Sequence, residues 1–125
     1  MKETLKVLSI EPGMPPVEKE ISAGLESFQH EVDGYIECVY PFDDEVVLIV
    51  NEEGKINGLP LNRALRGEDN EIYDVIAGSF IIAGITEDSF CSLSPELSAK
   101  YAERFRYPEI FVSVDGRIAA FPIRD

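Results

Sequence analysis

The segment from Glu45 to Val50 is the feature that most constrains the fold, because every residue after its first is apolar. Four of those five apolar residues are β-branched, which favours a strand over a helix. A strand with one face in water would alternate apolar and polar side chains, whereas a continuous apolar run is typical of a strand buried on both faces. We therefore predict a central strand in a sheet that is covered on both sides.

Seven further segments have the composition of strands. They are Thr4–Ile10, Val17–Ile21, Tyr35–Tyr40, Glu71–Ile76, Ser79–Ile85, Ile110–Val114 and Arg117–Phe121. The spacing of 35–40 and 45–50 predicts an antiparallel hairpin, and the dipeptide Asp115-Gly116 predicts a second one between the last two strands.

Two helices are predicted between these strands. Ser94-Pro95-Glu96 combines a capping residue, a proline at the first helical position and an acid in the first turn. An earlier helix is expected to begin near Ala23, with Ser22 as its N-cap and Gly34 as its left-handed C-cap.

Between these elements, residues 51–70 are rich in turn formers and show little periodicity. The turn formers are Asn51, Gly54, Asn57, Gly58, Pro60, Asn62, Gly67, Asp69 and Asn70. Such a stretch predicts a long loop, with Leu59, Leu61 and Leu65 holding part of it against the core. The chain as a whole, residues 1–125, is predicted to be a single α+β domain with two helices and a mainly antiparallel sheet, either curved or barrel-like.

The charge excludes some partners. The chain has 24 acidic and 11 basic residues, a net charge of −13, and residues 75–125 carry only −2 of that total. Such a field repels nucleic acid backbones and anionic membranes, and it attracts basic protein surfaces. Solubility alone is the other explanation of the charge. The N-terminal residues lack the apolar segment of a signal peptide and no apolar run could span a bilayer, so we expect a cytoplasmic protein.

Catalytic chemistry has little support in the sequence. His30 is the only histidine, and Cys38 and Cys91 are far apart without metal-ligand spacing. We expect two half-buried thiols, a solvated His30, no metal site and no cofactor, and an enzyme is the less favoured class. No catalytic residue is predicted.

The sequence NEEGKINGLPLNRAL, from Asn51 to Leu65, resembles a family of small acidic bacterial proteins, a domain of unknown function found in bacterial genomes, phages and conjugative elements. The similarity covers most of the chain and is densest from Gly34 to Gly84. It implies a shared fold and assigns no catalytic residue.

The 51–70 loop holds the candidate binding residues. Asn57, Asn62 and Arg63 are polar groups among leucines, and an ordered loop of this kind can present amides and a guanidinium to a ligand. Tyr73 and Asp74 are added because the next strand could pair near the base of the loop. The alternative is structural: Asn57-Gly58 forms a tight turn and Arg63 a local ion pair.

Two functions of different classes remain open. The favoured one is an acidic protein-interaction module from a mobile element, which occupies a basic site on a host or element protein. Nucleic acid mimicry is one version of it. The other is a small-molecule-binding module that uses the 51–70 loop. The sequence does not distinguish oligomeric states.

Overall fold

The computed structural model describes residues 3–124, which form ten strands and two helices. In chain order the elements are β1 (Thr4–Ile10), β2 (Val17–Ser22), α1 (Leu25–Val32), β3 (Ile36–Val39), β4 (Val46–Asn51), β5 (Leu61–Arg66), β6 (Ile72–Ala77), β7 (Phe80–Ile85), β8 (Phe90–Cys91), α2 (Pro95–Arg104), β9 (Glu109–Val114) and β10 (Arg117–Pro122). Neither helix of this described part is long and apolar enough to cross a membrane.

The main sheet has six strands in the order β2-β1-β7-β4-β3, with β8 paired to β7. All its pairings are antiparallel. Strand β4 lies between β7 and β3, so that Leu48 is opposite Ile82 on one side and Val39 on the other. The interior strand predicted over 45–50, and its hairpin with the preceding strand, are confirmed.

Both faces of β4 are buried, and its side chains alternate between two separate hydrophobic clusters. Val46, Leu48 and Val50 belong to one cluster, and Val47 and Ile49 belong to the other. The period of two explains the division, since successive residues of a strand point to opposite faces.

Different elements cover the two faces of the main sheet. Helix α1 covers one face with Phe28 and Val32. Helix α2, through Tyr101 and Phe105, covers the other together with Leu65 of the β5–β6 hairpin. The α+β class is confirmed. The barrel-like option is not found among residues 3–124, because β2 and β3 end the main sheet as separate edges and β5–β6 and β9–β10 form two further two-stranded sheets.

The long loop predicted over 51–70 is wrong in its second half, where β5 pairs with β6. Asn62 and Arg63 lie within this strand and are fully buried. A buried polar pair breaks the apolar pattern by which a strand is recognised, so the sequence resembles a loop although the backbone is extended.

The ends of α1 also differ from the prediction. Ser22 belongs to β2, and the N-cap is Gly24 (φ 145°), which has no side-chain cap. The left-handed residue at the C-terminal end is Asp33 (φ 60°) rather than Gly34. Gly34 is required for another reason: a Cβ there would lie 2.6 Å from Nδ2 of Asn51, which donates to the carbonyls at the end of α1.

The predictions for the C-terminal third are confirmed. Ser94 caps α2, its Oγ accepting the Leu97 N–H at 3.2 Å, and Pro95 is the first helical residue. Asp115 (φ 51°) and Gly116 (φ 79°) form the two-residue turn between β9 and β10, where positive φ at both central positions matches the twist of the strands.

Candidate functional site

Basic side chains, which are scarce in this chain, converge on one groove beside the end of α2. Two adjoining cavities of about 380 and 410 Å³ share the lining residues Arg66, Gly67, Glu68 and Arg104. We call them together the arginine groove. Four of the six arginines line it: Arg63 and Arg66 from β5, Arg104 from α2 and Arg124 after β10. Lys100 lies at one end.

Arg63 lies at the floor of the groove and is only 1% exposed. Its Nε and Nη2 donate to the carbonyl oxygen of Phe105 at 3.1 and 2.9 Å, and Nη2 also donates to that of Met14 at 2.7 Å. Nη1 donates to the main-chain oxygen and to Oδ1 of Asn62 at 3.3 and 2.9 Å. A guanidinium has five N–H donors, and all five are used.

These hydrogen bonds give Arg63 a structural role. Phe105 is the C-cap of α2, and its carbonyl is among those that a helix end leaves without an intrahelical partner. The positive charge at this end also suits the helix dipole. Burial lowers the pKa of the Arg63 guanidinium, and the charge of Glu109 opposes that shift. Arg63 therefore joins β5, α2 and the turn after β1.

Asn62 completes this buried network from the adjacent position. Its Nδ2 donates to the carbonyl oxygens of Ile10 and Gly78, both at 2.9 Å, while its Oδ1 accepts from Arg63. The side chain is fully buried, and every polar atom has a partner. Asn62 thus ties β5 to the end of β1 and to the β6–β7 connection.

Arg66 is partly neutralised by Glu109. Oε2 of Glu109 accepts from Nη2 of Arg66 at 3.2 Å, and Oε1 accepts the main-chain N–H of Ala64 at 2.7 Å. Ala64 is on the outer edge of the β5–β6 sheet, so the Glu109 carboxylate accepts from an N–H group that has no partner in a neighbouring strand. Arg66 also donates to the carbonyl oxygen of Ala120, which attaches the C-terminal hairpin to β5.

Arg104 and Arg124 have no carboxylate partner within residues 3–124. The guanidinium of Arg104 lies over the ring of Phe42, 4.5 Å from its centroid, and that of Arg124 lies 5.1 Å from the centroid of Tyr107. Such cation–π contacts orient a guanidinium without using its N–H groups. Both arginines therefore keep donors for a ligand in the groove.

The far end of the groove is held by Asp44. Its Oδ2 accepts from the Tyr101 hydroxyl and from Nζ of Lys100, both at 2.6 Å. These hydrogen bonds hold the pKa of Asp44 below its ordinary value. Burial, together with Asp44, raises the pKa of Tyr101. The arrangement fixes α2 to the β3–β4 turn, which makes this wall of the groove rigid.

The match to a family model extends over most of the elements described above. The model of the family described as Domain of unknown function (DUF3846) matches residues 5–106. The chain belongs to the DUF3846 family. No curated protein and no solved structure matches the chain. The DUF3846 match includes β1 to α2 and ends before β9, so Arg63, Arg66 and Arg104 lie inside the family region and Arg124 lies beyond it.

The five candidate binding residues are not brought together. Asn62 and Arg63 are buried neighbours, and Tyr73 is exposed at the arginine groove. Asn57 is exposed in the turn after β4, and Asp74 pairs with Lys55 outside the groove. The turn at 57–58 agrees with the structural alternative, but the partners of Arg63 are carbonyl and amide oxygens rather than a carboxylate. Ligand binding by any of the five stays a prediction.

The residues missed from the sequence are Arg66, Arg104 and Arg124. Arg104 and Arg124 had a signal in the sequence, because the near-balanced charge of residues 75–125 reflects five bases in this part of an acidic chain, whereas Arg66 lies outside that segment. Of the groups considered for catalysis, His30 is exposed, and Cys38 and Cys91 are half-buried free thiols as expected. Burial raises the pKa of Cys38.

Proposed function

We propose that this DUF3846 protein binds an anionic small molecule in the arginine groove. One observation carries the proposal: Arg104 and Arg124, two guanidinium groups without carboxylate partners among the described residues, line one cavity of a chain whose net charge is −13. In so acidic a chain most bases are expected to pair with an acid, so unpaired arginines gathered at a concave surface indicate a binding role.

A phosphate-bearing ligand suits the groove best. A guanidinium presents a planar fork that binds phosphate or carboxylate with two parallel hydrogen bonds. Tyr73, which is 59% exposed, adds an aromatic ring to the same groove, and this favours a ligand with a flat ring system such as a nucleotide. The two cavities together fall within the range of about 300–1,000 Å³ that is usual for small-molecule sites.

We expect Arg104→Ala to weaken binding of the ligand by about 10- to 100-fold, the usual effect of losing a charge-assisted hydrogen bond. The first step is a thermal-shift screen with inorganic pyrophosphate and with adenine and guanine nucleotides, because a ligand of the native state raises the melting temperature. Isothermal titration calorimetry with the best probe then compares the wild type with the variant.

The matched control is Arg117→Ala, which removes the same charge from an exposed position outside the groove. It is expected to bind the ligand with the affinity of the wild type. Arg104→Lys keeps the charge but loses the planar fork of donors, so its affinity is expected to lie between those of the wild type and Arg104→Ala. If no probe raises the melting temperature, or if both alanine variants lose affinity equally, the groove is not an anion site.

A second candidate function is the acidic protein-interaction module, and a mobile-element origin belongs to this proposal. Of the 23 acidic residues within 3–124, 20 are exposed. Five of these lie along the β3–β4 hairpin and at its ends, at the outer edge of the main sheet: Glu37, Asp43, Glu45, Glu52 and Glu53. None of the five forms an ion pair with a described residue. This acidic edge supports binding to a basic protein surface.

We expect the protein to capture a basic partner from bacterial lysate at low salt and to release it at high salt, because salt screens the charges of the acidic edge. A variant with four amide substitutions at the edge (D43N, E45Q, E52Q, E53Q) should lose that partner. A control with four amide substitutions elsewhere (E20Q, E87Q, D88N, E96Q) has the same net charge and should retain it. Capture of no basic partner at any salt concentration, or equal retention by both variants, would contradict the proposal.

A further inference from the structure

The C-terminal hairpin, β9–β10, carries an apolar face whose side chains the described chain leaves about half exposed. Residues opposite each other in an antiparallel pair share a face, and Ile110 pairs with Phe121, Val112 with Ala119 and Val114 with Arg117. We call this set the hairpin face. Its four large apolar side chains are 41–55% exposed: Ile110, Val112, Val114 and Phe121.

The hairpin face has no role in the folding core. Neither buried cluster of the described residues contains a residue after Phe105, and the DUF3846 match ends at residue 106. The side chain of Glu109, on the opposite face, and the main-chain carbonyl of Ala120 attach the hairpin to β5. An element that lies outside the core and still exposes large apolar side chains is typical of an interaction surface.

We propose that a second copy of this chain covers the hairpin face, forming a two-fold symmetric dimer. The charge distribution selects this surface for contact between two copies. Residues 107–124 contain two acids and two bases, whereas the whole chain has a net charge of −13. Two copies repel each other over most of their surfaces, and the neutral hairpin is where they approach with the least repulsion. In a dimer with two-fold symmetry, the apolar patch of one copy contacts the same patch of the other copy.

Electrostatics also decides the orientation of the two hairpins. If they stack antiparallel, the two acidic bodies lie at opposite ends of strands that are roughly 20 Å long. This separation exceeds the Debye length of about 8 Å at physiological salt, so the repulsion is largely screened. The same arrangement places Arg117 of each copy, at the hairpin tip, over Phe121 of the other, near its base, where a guanidinium and a ring attract each other.

Sedimentation equilibrium of the full chain at several protein concentrations tests the dimer. The wild type is expected to dimerise, and Val112→Asp to weaken the dimer by about 100-fold, because it places a carboxylate in an apolar contact. Ser113→Asp adds the same charge to the opposite face of the same strand and should dimerise nearly as the wild type does. Circular dichroism and thermal melts check that both variants fold.

The salt dependence of the wild type is an independent measurement that needs no variant. Because the bodies repel and the contact is apolar, added salt is expected to strengthen the dimer, whereas a contact between opposite charges would weaken. A wild-type monomer at high micromolar concentration in every salt condition would overturn the proposal. So would equal dissociation constants for the two aspartate variants, or a dimer that dissociates as salt is added.

Discussion

Replacing Arg63 with alanine is expected to lower the free energy of unfolding by about 3–5 kcal/mol, the usual result of removing one partner from a buried charged network. The variant would leave the carbonyl oxygen of Phe105 and Oδ1 of Asn62 buried without their donor, and it would also remove the donor to the partly buried carbonyl of Met14. Each unsatisfied group costs roughly 1–3 kcal/mol. For a domain of this size the melting temperature should fall by on the order of 10–20 °C.

Urea unfolding followed by circular dichroism measures the effect of Arg63→Ala. Arg106→Ala, at an exposed position whose ion pair with Glu103 is also exposed, is the control for loss of a positive charge and should change the free energy by about 0.5 kcal/mol or less. Arg63→Lys keeps the charge but cannot reproduce the five donors of the guanidinium, so its free energy of unfolding should lie between those of the two alanine variants. Equal stabilities of the two alanine variants would show that the hydrogen bonds of Arg63 contribute nothing net.

Alanine substitutions at Leu48 and Ile49 are each expected to cost about 2–5 kcal/mol of unfolding free energy. The two residues are neighbours in the chain, point to opposite faces of the main sheet and are both fully buried. Each substitution removes apolar contacts and leaves a cavity in a different cluster. Because the clusters are separate, the double variant should lose nearly the sum of the two effects.

The same urea titrations measure both substitutions. Val17→Ala is the control, because the Val17 side chain lies in an edge strand and is half exposed. The control should cost far less, because its side chain is mostly in water already. A large loss for Leu48→Ala together with a small loss for Ile49→Ala would mean that one face of the main sheet is open. That result would contradict the burial of β4 on both faces.

Much of the fold could be predicted because its strands are defined locally. The apolar run of β4 and the Asp115-Gly116 turn each require only neighbouring residues. The start of α2 is equally local, since Ser94 caps a helix whose first residue is Pro95. The prediction was wrong at β5, where the buried residues include Asn62 and Arg63 and the apolar pattern is interrupted.

The candidate site was less predictable, because its residues come from distant parts of the chain. Arg66 and Arg104 meet only after β5 and α2 have packed on the same face of the main sheet. Arg63, which the sequence suggested as a ligand-binding group, donates all its hydrogen bonds within the protein. A polar residue in sequence does not indicate whether its partner will be a ligand, water or a carbonyl of another segment.

By itself the sequence determined the class of the protein: an α+β domain with an interior strand at 45–50, two helices and a strongly acidic surface. Those properties depend on local pattern and on composition, which do not change when the chain folds. Only the tertiary structure decided what the polar residues do. Arg63 is 49 residues from Met14 and 42 from Phe105 along the chain. A buried guanidinium is stable only where such distant carbonyls converge on it.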